Sequence, residues 1–64
     1  MKITTASTFE IAYRAALKRT RLTRKGTHWR ATIHTPRVWV EGVSRIAARQ
    51  RAAMHAAAAE TRTH

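Results

Sequence analysis

The stretch HWRATIHTPRVWVEG, residues 28–42, constrains this chain more than any other. It alternates with period two, as a strand with two different faces does. Trp29, Ala31 and Ile33 point one way, while His28, Arg30, Thr32 and His34 point the other. Thr35-Pro36 interrupts the run, because proline cannot donate to a ladder and belongs in the turn. Beyond it, Val38 and Val40 alternate with Arg37, Trp39 and Glu41, and Gly42 ends a second strand. A turn centred on Thr35-Pro36 sets Ile33 opposite Val38 and Ala31 opposite Val40, which makes an apolar face. The reverse face pairs His34 with Arg37, Thr32 with Trp39, and Arg30 with the oppositely charged Glu41. Proline is a poor second central residue in a type I turn. The sequence therefore predicts a longer loop or a cis Thr35-Pro36 bond. A four-residue loop leaves the strand pairing unchanged.

The rest of the chain has little with which to cover that apolar face. Leu, Ile, Val and Phe make up under a fifth of the 64 residues, and much of the hydrophobic fraction is alanine. The length suits one domain, residues 1–64, near the lower limit for folding alone. Low bulky-apolar content with high charge is also a mark of disorder. The expectation is a marginal fold, a homodimer, or a fold completed by a partner.

Residues 7–20 (STFEIAYRAALKRT) fit two periods. Phe9, Ala12, Tyr13, Ala16 and Leu17 make a helical stripe; Phe9, Ile11, Tyr13, Ala15 and Leu17 alternate as in a strand. Helix is preferred, for two reasons. Ser7 and Glu10 fit a capping box, and the Ala, Leu, Lys and Arg content favours helix. Residues 19–26 (RTRLTRKG) read as a basic connector ended by Gly26. Residues 44–60 predict a helix with Ser44 as N-cap and Val43 as part of a hydrophobic staple. Its inner side is expected to hold Ile46, Ala47, Gln50, Ala53, Met54 and Ala57, with Arg45, Arg49 and His55 outside. Residues 61–64 read as a disordered tail. The fold class is α+β: an N-terminal helix or strand, a hairpin at 28–42 and an Ala-rich helix at 44–60.

Thirteen Lys and Arg stand against three Glu and no Asp, a formal charge of +10. Such a field favours phosphate backbones or acidic protein surfaces. The cations are mostly Arg, which forks onto phosphate or a guanine edge. The lack of cysteine excludes disulfides and the usual structural zinc sites, and fits a reducing interior. No apolar run is long enough to span a membrane, and MKITTASTFE lacks the apolar core of a secretory signal. The expected location is the cytoplasm of a bacterial cell. High Ala and Arg content in a tiny basic chain suits a phage or mobile element.

Catalysis is not expected. The three Glu are dispersed, and Glu10 and Glu41 already have structural partners in this reading. His28 and His34 share a face but lie on the order of 20 Å apart at strand rise, too far for one metal ion. No metal or cofactor is expected. The candidate contacts are for nucleic acid. A two-stranded ribbon fits the major groove, and His34, Arg30, Arg37 and Trp39 line its polar face. The plainer reading buries Trp39 under the first helix. Arg19, Arg21, Arg24 and Lys25 in the connector form a second candidate, a phosphate clamp or simply a solvated loop. Arg45 and Arg49 on the last helix form a third.

In order, YRAALKR, HWRATIHTP and RVWVEGVSRIAARQRAAMHAAAAE resemble the DNA-binding domain of plant ethylene-response factors and the related arm-binding domain of phage integrases. The resemblance implies a three-stranded sheet laid in the major groove. Arg30, Arg37 and Trp39 would make contacts, joined by Arg14 and Lys18 if residues 9–18 form a strand. A rival resemblance, carried by GTH and EGVSRIAARQRAAMHAAA, is to the end of a double-stranded-RNA-binding domain. Arg45 and Arg49 would then grip phosphates, although Ile46 departs from that pattern. Double-stranded DNA is the favoured partner, bound as a regulatory or accessory factor. The alternative is an inhibitor or adaptor docking on an acidic host protein or nucleoprotein complex, such as RNA polymerase or a bacterial immunity complex.

Overall fold

In the computed structural model, which describes residues 8–62, the chain runs α1 (Thr8–Arg19), β1 (Arg21–Lys25), β2 (His28–Ile33), β3 (Val38–Gly42) and α2 (Arg45–Arg62). The strands form one antiparallel sheet in the order β1-β2-β3. The α+β class holds, with a third strand where the sequence suggested a connector. Residues 9–18 are helical, so the strand alternative for them falls. Arg14 accordingly sits on a helix, where Nη2 donates to Glu10 Oε2 at 2.7 Å, and Lys18 shares that helix. Ser7, the other half of the expected capping box, lies outside the described residues.

The hairpin register is the one the alternation dictates. Ile33 pairs with Val38, Ala31 with Val40, Thr32 with Trp39, and Arg30 with Glu41. Four residues, His34 to Arg37, connect the strands, and the Thr35-Pro36 bond is cis. The β1–β2 connection is tighter. Gly26 and Thr27 alone join Lys25 to His28, and Gly26 has φ 62° while no other described residue has positive φ. Glycine at the first of two turn residues suits a type II′ hairpin, whose twist matches that of the strands.

The core is built from small residues. Among the described residues Ile33 is the largest fully buried side chain, and Ala16, Ala31, Ala48, Ala52, Ala53, Ala56 and Ala57 are buried with it. Tyr13, Leu17, Leu22, Trp29, Val38 and Val40 pack around it, half-buried. Helix α2 lies across the inner face of the sheet, and α1 packs on α2 rather than on the strands. This rotates α2 relative to its expected inner side. Ile46, Gln50 and Met54 face out, Ile46 being 70% exposed, and Ala48, Ala52 and Ala56 turn in. Only methyl-sized side chains let α2 sit this close to two neighbours at once. Gly42 is needed for the same reason. A Cβ there would stand 3.0 Å from the Ala48 backbone nitrogen.

Ser44 caps α2 as expected, its Oγ accepting from the Ala47 N–H at 3.1 Å. Val43 is exposed, so no staple forms. The helix continues two residues past Glu60, with Thr61 Oγ1 donating to the Ala57 carbonyl at 2.9 Å. Residues 63 and 64 of the expected tail lie outside the described residues. No helix among the described residues is long and apolar enough to cross a membrane.

Candidate nucleic-acid interface

The face of the sheet turned away from α2 carries most of the strands' polar side chains. Alternation along three registered strands makes rows across it: Arg21, Thr32 and Trp39; Thr23, Arg30 and Glu41; Lys25 and His28. Because α1 packs on α2, neither helix covers this face. Trp39 is therefore 61% exposed, and the reading that buries it under the first helix is excluded.

Arg30 is the most constrained side chain on the face. Its Nε and Nη2 both donate to Glu41 Oε2, at 3.3 and 2.9 Å. Its guanidinium carbon also lies 4.8 Å from the centroid of the Trp39 ring, its diagonal neighbour across the strands. The carboxylate and the indole together hold the guanidinium in place. Nη1 has no hydrogen-bond partner among the described residues. Such a pair at the surface contributes little to folding, on the order of 0–1 kcal/mol. Its greater consequence is a pre-oriented donor fork on an open platform.

The other candidate residues separate into three groups. Arg21 and Lys25 belong to the outer face of β1, as does Thr23, which the connector reading passed over. Arg19, His34 and Arg37 gather at one end of the sheet, around a cleft that they share with Arg21, Thr32 and Ile33. Arg24, Arg45 and Arg49 lie apart from both. Arg24 alternates to the side of Leu22 and Trp29, and its Nε donates to the Gly26 carbonyl at 3.2 Å. Arg45 sits over the Trp29 ring at 5.6 Å. Arg49 Nε donates at 3.2 Å to the Leu17 carbonyl in the last turn of α1, which also accepts from the Thr20 N–H at 3.4 Å. The last two cations thus tie α2 to the sheet and to α1, a role that neither resemblance assigns them.

Among the described residues, no group of three or more His, Cys, Asp or Glu is arranged to hold a metal ion. In comparisons with known proteins, no family model, curated protein or solved structure matches the chain.

Proposed function

We propose that the protein binds nucleic acid, double-stranded DNA above all, by laying the outer face of its sheet in the major groove. The observation that carries this reading is the uncovered platform of Arg21, Lys25, Arg30 and Trp39. Three strands span two gaps of about 4.8 Å, so the backbone ribbon is about 10 Å wide and fits a groove about 12 Å wide. Arg30, held by Glu41 and stacked on Trp39, is the residue suited to a guanine edge. Trp39 offers a flat surface to thymine methyls or sugars. Arg21 and Lys25 on β1 take phosphates, as does Arg37 just before β3. The groove-lining sheet of the ethylene-response-factor resemblance is compatible with this arrangement, with β1 as third strand in place of residues 9–18.

Titrating a fluorescently labelled duplex at several salt concentrations tests the proposal. With the three phosphate contacts of Arg21, Lys25 and Arg37, log affinity is expected to fall against log salt with a slope of about −3. A flat salt dependence overturns it.

A second reading rests on the same exposed indole. Trp and Arg together are what protein-binding hot spots use, so an acidic protein surface would also suit this face. Capture from nuclease-treated lysate separates the two. One stoichiometric protein retained after nuclease favours the protein partner, and loss of all partners favours nucleic acid.

A further inference from the structure

The end of the sheet at the β2–β3 turn gathers basic side chains from three separate segments. Arg19 ends α1, Arg21 begins β1, and His34 and Arg37 are the first and last residues of the turn. Antiparallel pairing sets Arg21 opposite Thr32, so β1 begins where β2 ends. These side chains, with Thr32 and Ile33, line a cleft of about 710 Å³. Neither Arg21 nor Arg37 has a carboxylate within ion-pair distance among the described residues, and the contact of Arg19 with Glu60 is long, at 4.0 Å. Three guanidinium groups around one cleft repel each other unless an anion lies between them.

We infer that this cleft binds linked phosphate groups. Guanidinium forks match pairs of phosphate oxygens, and the Thr32 hydroxyl adds a neutral donor. Clefts between about 300 and 1,000 Å³ hold ligands well beyond a single small ion. A short run of phosphates therefore suits this one better than a lone phosphate. Arg21 and Thr32 belong to both the cleft and the outer face, so a strand lying on the sheet would lead its backbone into the cleft. The inference extends the proposed function in that respect. A free oligophosphate offers the same chemistry and does not depend on it.

The test is a titration of the full-length protein, at constant ionic strength, followed by amide resonances. One arm uses inorganic triphosphate and the other a duplex DNA. The cleft variant is Arg21→Ala with Arg37→Ala. The control, Arg51→Ala with Arg62→Ala, removes the same charge from exposed α2 positions outside the cleft. Spectral dispersion reports whether each variant is folded. Triphosphate is expected to shift residues around 19–21 and 32–37 first. The cleft variant should weaken binding by about tenfold or more relative to the control, as loss of charge-assisted hydrogen bonds implies. The same loss in the duplex arm assigns the cleft to a nucleic-acid backbone; loss in the triphosphate arm alone assigns it to free oligophosphates. Shifts spread over all the arginines, or equal affinities of cleft variant and control in both arms, overturn the inference. Duplex binding that still depends on Arg30 and Trp39 in that case keeps the outer face as the duplex site and removes Arg21 and Arg37 from its phosphate contacts.

Discussion

Thr32 and Ile33 are neighbours on β2 that belong to different environments. Ile33 is fully buried between the sheet and α2, while Thr32 lies between Arg21 and Trp39 on a face that neither helix covers. The same contrast runs across the whole sheet. The inner face holds Leu22, Trp29, Ala31, Ile33, Val38 and Val40, with Arg24 on the edge strand β1, and the outer face holds Arg21, Lys25, Arg30, Trp39 and Glu41. A protein this poor in bulky apolar residues still leaves one of its two tryptophans 61% exposed. The inner face shows what folding requires. The difference between the faces shows what it does not, and Trp39 heads that second list.

Substitutions on the two faces test this contrast. The largest effect is expected from Ile33→Ala. It empties the one large buried position and should cost about 2–5 kcal/mol, enough to abolish a cooperative thermal melt in so small a domain. The adjacent Thr32→Ala should change the melt little, within about 1 kcal/mol. Next is Arg30→Ala, which should lower duplex affinity by about 1–3 kcal/mol while leaving the melting temperature nearly unchanged. A fall in stability equal to the fall in affinity would erase the division between faces. Gly42→Ala should destabilise by about 1–3 kcal/mol, because its methyl meets the Ala48 backbone and α2 must shift outward. Ser44→Ala should cost about 1 kcal/mol through the lost cap on α2. The smallest effect is expected from Ile46→Ser. Its side chain is exposed despite being apolar, so thermal stability should stay within about 0.5 kcal/mol.

The hairpin was legible because period-two alternation and a single proline leave one register that separates the faces. Arg30–Glu41 and Thr32–Trp39 follow from it directly. Helix α1 was legible from composition, but which side of the sheet it would leave open was not. That depends on α1 packing against α2, and the alanines that permit it carry no directional signal. On the expected inner side of α2, Ala53 and Ala57 are buried, but Ile46, Gln50 and Met54 face out for the same reason. Ile46 and Met54 draw the eye as core residues, yet the close fit to Gly42 and to α1 admits only Ala48, Ala52 and their neighbours.

Strand β1 was hidden because RLTRK has one inward apolar residue, Leu22, and otherwise looks like a solvated connector. A basic edge strand of this kind also discourages unwanted pairing with other chains. The signal that would have found it is Gly26-Thr27, a two-residue hairpin loop with glycine first. Finding β1 turns Arg21 and Lys25 from a loop clamp into part of the platform. The separation of Arg45 and Arg49 from that platform has no counterpart in sequence spacing, because it comes from their contacts with Trp29 and Leu17.

The protein carries its own internal comparison in its two tryptophans, one on each face of the sheet. Trp29 is half-buried against the core beneath Arg45, and Trp39 stands exposed beside Arg30. Each gives one indole N–H resonance, and adding duplex DNA at moderate salt reports on both at once. The Trp39 indole signal is expected to shift or broaden while that of Trp29 stays in place. A duplex that binds and moves Trp29 but leaves Trp39 unchanged would contradict it.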